Sequence, residues 1–307
     1  MKSKKRISKR ILALIVAGGF IAALLITLLG FFIAFWMCDA NAQVWTPSYE
    51  KMSDADLKAL YESAETDEEF QILFEQTGLT KIGIERARAM TSGWTRIKQI
   101  HDSYFAPREV KNGYFCPLIC TDYIEDYSTE IYLEKGDILI TSSTHFAGFR
   151  IGHSGIVAAP ESLKLPIWQS SQIGAQNGYS SVKESFTSRI NFMVVRIKPQ
   201  AFGADHVTDK TYIEAIDDVV EYITTDLKDA KYSPFTGVFT KKNACNYTSC
   251  SHLLWYGFLH FDDKNGGERN IDLDPNGGLL VVPKDISRSP YVELVQTFGF
   301  DPEKMYE

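Results

Sequence analysis

Cysteine is scarce in this chain, with five residues in 307. That scarcity excludes a fold stapled by a disulfide framework. Cys116, Cys120 and Cys245 remain free to pair in an oxidising space, in a combination that spacing does not decide. Metal-ligand spacing is missing as well. Cys116 and Cys120 have no second pair at ligand distance, and Cys245, Cys250 and His252 are irregularly placed, so neither a metal nor a cofactor is expected. The chain has no internal repeat and no low-complexity tract. Basic residues are few beyond the first ten positions. Residues 1–10 carry six of the 32, leaving 26 basic against 39 acidic residues, a net of −13, in the remainder. An acidic body excludes sequence-independent nucleic-acid binding, which depends on Lys and Arg neutralising phosphates.

Charge itself is absent from Ile11 to Cys38. That run reaches the roughly 20 residues that cross a bilayer as a helix and exceeds the roughly 7–15 of a secretory h-region. The basic block before it and Asp39 after it predict an N-terminus inside and a body outside. Two fates are open to the segment. A retained single-pass anchor is favoured by length, while Ala40-Asn41-Ala42 offers a small-x-small site for cleavage. Both export the body. The expected division is a basic tail (1–10), a transmembrane anchor (11–37), a linker (38–50), a small helical subdomain (51–104) and a larger C-terminal domain (105–307).

Further along, start and stop signals predict helices. Ser53 caps one, Thr66-Asp67-Glu68-Glu69 is a capping box for the next, and Gly78 is placed to end it. Ala87, Met90, Trp94 and Ile97 form one stripe of a third helix. From Tyr104 the pattern changes to short β-rich runs at 138–140, 153–159, 167–170 and 192–197. An amphipathic helix is expected over 209–227, with Ile213, Ile216, Val220, Ile223 and Leu227 inward, and a last strand over 279–282 ended by Pro283. This order predicts an α+β fold.

The chemistry-bearing residue is Cys250, in Asn246-Tyr247-Thr248-Ser249-Cys250-Ser251-His252-Leu253-Leu254-Trp255. It stands at the first turn of an apolar helix, where the partial positive charge of the helix end lowers a thiol's pKa. The free N–H groups there serve an oxyanion equally well. His153, opening the run His153-Ser154-Gly155-Ile156-Val157, is the expected base. His252 is ranked far below it, because residues two apart on one helix do not face each other. Asp137 is assigned to the turn at Gly136.

Three segments in order carry a resemblance: Gly136-Asp137-Ile138-Leu139, then Gly152-His153-Ser154-Gly155-Ile156-Val157, then Ser249-Cys250-Ser251-His252-Leu253-Leu254-Trp255. Histidine precedes cysteine here, the reverse of most papain-like chains. The pattern resembles the circularly permuted NlpC-type papain-like cysteine hydrolases, most closely their YiiX/YebB-like branch, over roughly residues 50–295. The resemblance implies a permuted papain-like domain with Cys250 as nucleophile, His153 as base and Gln169 as the polar group orienting the imidazole. Cys250 N–H and Tyr247 are the oxyanion candidates, with simple packing as the other role for Tyr247. It further implies amide hydrolysis through an acyl-enzyme, with the peptide stems of peptidoglycan as substrate. Two other outcomes stay open: a lipid-directed amidase, esterase or acyltransferase of the same fold, and an inactive membrane-anchored binding protein.

Overall fold

A computed structural model describes residues 9–40, 43–116, 119–124, 132–146, 149–162, 164–171, 174–203 and 209–301. The basic residues before Lys9 and the cleavage position at Ala42 lie outside the described residues. Helix α1, Lys9–Ala40, is 32 residues long, and its described side chains are all exposed. Its segment Lys9–Ile33 is long and apolar enough to cross a membrane. At 1.5 Å per residue those 25 residues reach about 37 Å, beyond the roughly 30 Å of a bilayer's hydrocarbon core.

The body is a mixed α/β structure of three layers. Helices α2 (Asp54–Ser63), α3 (Asp67–Thr77), α4 (Lys81–Ala89) and α5 (Gly93–Tyr104) come first. Ser53 and Thr66 cap α2 and α3 as expected, the second through a complete capping box, and Gly78 ends α3 in the left-handed conformation with φ 70°. The expected third helix is two. A turn at Met90–Ser92 separates α4 from α5, because Gly93 packs its Cα against the Ala87 carbonyl, where a Cβ would stand 1.9 Å from that oxygen.

Strands follow: β1 (Val110–Cys116), β2 (Ile119–Ile124), β3 (Ile138–Thr141), β4 (Thr144–Phe146), β5 (Phe149–Arg150), β6 (His153–Val157), β7 (Ile167–Gln169), β8 (Gly178–Ser180) and β9 (Phe192–Ile197). Then come α6 (Asp209–Glu221), β10 (Lys231–Tyr232), β11 (Tyr247–Thr248), α7 (Cys250–His260), α8 (Pro283–Ser287) and β12 (Val292–Phe298). The central sheet is antiparallel throughout, in the order β12-β9-β3-β6-β7-β8. A smaller antiparallel sheet runs β1-β2-β4-β5, and β10 pairs with β11 in parallel.

The central strands are apolar on both faces because both faces are covered. Ile138, Ile140, Met193 and Val195 pack on α6 and α7. Their neighbours Leu139, Phe192 and Val194 pack on α2–α5, as the period of two requires. The helices at 51–104 therefore share a core with the sheet rather than forming a core of their own. Strand β12 locks them in place: Thr297 N–H donates to the Gly78 carbonyl at 2.8 Å, and the Thr80 hydroxyl donates to the Leu294 carbonyl at 2.7 Å.

Other expectations are corrected. Residues 279–282 form no strand, Leu279 is exposed, and Pro283 opens a helix at its first position instead of closing a strand. Among the described residues the last strand is β12, at one edge of the central sheet. Ile213 faces solvent, whereas Ile216, Val220, Ile223 and Leu227 are buried, the stripe curving away at the start of α6. Asp137 does more than shape its turn. It accepts from Glu134 N–H at 2.8 Å and forms a buried two-pronged ion pair with Arg86 of α4, at 2.7 and 3.0 Å.

Candidate active site

Helix α7 starts where the sequence predicts. Ser249 is its N-cap, with an extended backbone and a hydroxyl accepting from His252 N–H at 3.2 Å. Leu253 N–H bonds the Ser249 carbonyl at 3.0 Å. The amides of Cys250 and Ser251 precede the first carbonyl that the helix could offer them, so they face outward from the helix end. Cys250 itself is buried, with 6% of its surface exposed, and α7 packs on β6.

His153 opens β6, and its Nε2 lies 2.6 Å from Gln169 Oε1 on β7. A carbonyl oxygen only accepts, so Nε2 donates to it and Nδ1 is the ring nitrogen left for the thiol. The ring stacks on buried Phe186 with centroids 5.6 Å apart and planes inclined by 18°. Gly155 makes this meeting feasible. A Cβ there would stand 2.7 Å from Ile167 Cγ2 and 3.4 Å from Gln169 Cβ, so glycine lets β7 close on β6.

The thiol is electrostatically unusual. Burial pushes the Cys250 pKa up, but the imidazole of His153, by charge and by hydrogen bond, and then the N–H and hydroxyl of Ser154 together hold it down to about 7, against an ordinary 9.0. The Ser154 hydroxyl is fully buried and, among the described residues, bonds no oxygen or nitrogen. Cys245, only five residues away, is pushed up to about 12 by burial. Partners, not burial, make Cys250 acidic.

Three of the four sequence-predicted residues thus converge: Cys250, His153 and Gln169. Tyr247 is different. Its side chain is 44% exposed on β11, and the phenol brought into electrostatic range of the sulfur belongs to Tyr232 on the partner strand β10. Burial, then the charge of Cys250, push the Tyr232 pKa well above the usual phenol range, so it stays a proton donor. Sequence reading missed Tyr232 and Ser154 alike. Ser154 had a signal, its place beside His153. Tyr232 had none, because only the two-residue pairing of Lys231↔Tyr247 and Tyr232↔Thr248 carries it to the site. His252 is occupied elsewhere, its Nδ1 meeting the Thr248 hydroxyl at 3.0 Å and its Nε2 the Lys242 carbonyl at 2.7 Å.

No family model, curated protein or solved structure matches this chain. The chemistry must be read from the geometry. An acidic thiol at a helix start, an imidazole beside it with its outer nitrogen pinned, and the Ser154 donors on the sulfur are groups suited to attack on a carbonyl.

Proposed function

We propose that this protein is a membrane-anchored, extracytoplasmic cysteine hydrolase of the permuted NlpC-type papain-like kind, cleaving amide bonds through an acyl-enzyme. The observation that carries the reading is the buried Cys250 thiol held at about 7 by His153 and Ser154, with Gln169 fixing the imidazole from behind at 2.6 Å. His153 takes the thiol proton through Nδ1. The thiolate attacks the carbonyl, and the amides of Cys250 and Ser251 with the Tyr232 hydroxyl receive the oxyanion. His153 protonates the leaving amine, then draws a proton from water as the acyl-enzyme is hydrolysed. The Cys250 thiol is thereby restored.

Peptide stems of peptidoglycan are the proposed substrate, consistent with an apolar N-terminal helix preceded by basic residues, which would hold the body outside. A second reading, an acyl-lipid substrate, draws support from a surface feature. Phe239, 79% exposed, and Val238 follow Tyr232 in the loop over 233–240, and Gly237 in that loop abuts the carbonyl of Leu279, itself 71% exposed. Such a cluster on a chain carrying an apolar N-terminal helix suits acyl chains.

Full-length protein in detergent, incubated separately with purified muropeptides and with lipid extract, should yield a Cys250-dependent product visible by mass spectrometry. Muropeptide cleavage supports the first substrate and lipid cleavage the second. Equally slow iodoacetamide labelling of Cys250 below pH 7 in wild type and His153→Ala would refute both. Retention in membranes through a carbonate wash is expected, and native protein beginning at Gln43 would show that the anchor is removed.

A further inference from the structure

A second grouping of chemically capable side chains lies in the small sheet, away from Cys250. Cys120 and Asp122 stand two apart on β2, so they share one face, and His145 on β4 is the register partner of Cys120. The three donor atoms, a sulfur, a carboxylate oxygen and an imidazole nitrogen, all lie within 4.8 Å of one another. All three side chains are fully buried.

The spacing is informative. His145 Nε2 and Asp122 Oδ1 are 3.4 Å apart, too long for the 2.7–2.9 Å or so of a charge-assisted hydrogen bond. It matches the edge of a tetrahedron with bonds of about 2.1 Å, the length at which zinc holds nitrogen and oxygen. The other carboxylate oxygen, Oδ2, accepts from Arg150 at 2.7 Å, which orients the group as an outer partner of a ligand does.

We infer that Cys120, Asp122 and His145 form a structural binding site for a zinc-like divalent transition metal. Thiolate and carboxylate supply two negative charges against its two positive ones, and imidazole supplies the third ligand. The second pair missing around Cys116 and Cys120 in the sequence is replaced by Asp122 and His145, which only the pairing of β2 with β4 brings in. The ion would also brace the catalytic base. Strand β4 leads through β5 to Gly152, whose N–H returns to the Thr144 carbonyl at 2.8 Å, one residue before His153.

The test uses full-length protein in detergent carrying Cys250→Ala, so that the reactive thiol cannot bind metal and hydrolase activity plays no part. After dialysis against metal-free buffer, zinc by mass spectrometry should stand near about one equivalent per chain and fall about tenfold or more in Cys120→Ser and in His145→Gln. Equal metal content in parent and variants, or isolation of Cys120 in a disulfide, would overturn the site. Should the variants not fold, cobalt decides. Added to the metal-stripped parent, cobalt(II) should give thiolate charge-transfer and tetrahedral ligand-field bands and raise its melting temperature. Absence of those bands would overturn the site just as directly.

Discussion

Two places in this molecule bring together a cysteine, a histidine and a third polar side chain, and they are built in opposite ways. At the first, Cys250 starts a helix, His153 starts a strand, and the third member is the neutral amide of Gln169, half-buried at the end of β7. Each member sits at an end of its element, where the backbone leaves polar groups unpaired. At the second, Cys120, His145 and Asp122 sit within strands and are fully buried, and the third member carries a formal charge. A neutral third member lets a proton leave the thiol for the imidazole without a net charge being buried. An anionic one favours a cation that stays. On the two proposed readings, the same residue types serve transient or permanent charge according to where the backbone places them.

Breaking the first grouping has the largest expected effect. Cys250→Ala should lower hydrolysis by about 10⁴-fold or more while leaving the melting temperature within a few degrees. Retained turnover of a confirmed substrate would remove Cys250 from its role. His153→Ala comes next. Loss of the imidazole should return the thiol toward its ordinary 9.0 from about 7, slowing alkylation at pH 6.5 by roughly ten- to hundredfold. Gln169→Ala, which frees the ring to turn, should cost about tenfold in kcat with KM little changed. An unaltered pH–rate profile would mean the amide does not orient His153.

Smaller effects sharpen the contrast. The Cys250 pKa is depressed in the folded state, so wild type should gain stability over Cys250→Ser as pH rises from about 7 to 9. That gain should disappear as pH falls through 7. Melting scans of both proteins across pH 6–9 read it directly, and parallel curves would contradict the thiolate. Least of all, Cys245→Ser should leave iodoacetamide labelling below pH 7 unchanged, because burial pushes that thiol up to about 12.

Much of this was legible in the sequence where one residue type has one local job. The caps at Ser53 and Thr66, the turn at Gly78 and the start of α7 at Ser249 each satisfy groups within four residues of themselves. His153 could be placed because it opens a short apolar, β-rich run, and Gln169 because the run Ile167-Trp168-Gln169 matches a strand of the family the chain resembles. What stayed hidden depends on long-range pairing. The strand over 279–282 failed because no strand lies beside it: Leu279 and Leu280 are exposed and Val281 is buried from a loop, whereas β12, with Glu293, Gln296 and Thr297 interrupting its apolar residues, is a strand because β9 waits beside it. Tyr232 and the Cys120–Asp122–His145 grouping were invisible for the same reason: their partners arrive across registers that no local pattern encodes.

The clasp between β12 and the turn at Gly78–Thr80 bears on when the protein becomes competent during its synthesis. Residues 292–298 are translated more than two hundred positions after the segment they secure, and the sulfur at 250 emerges nearly a hundred after its imidazole. Contacts so far apart along the polymer form late. Under the proposed hydrolase reading, a ribosome-bound chain whose N-terminal helix has already entered a bilayer would therefore stay inactive until nearly the whole body has been delivered.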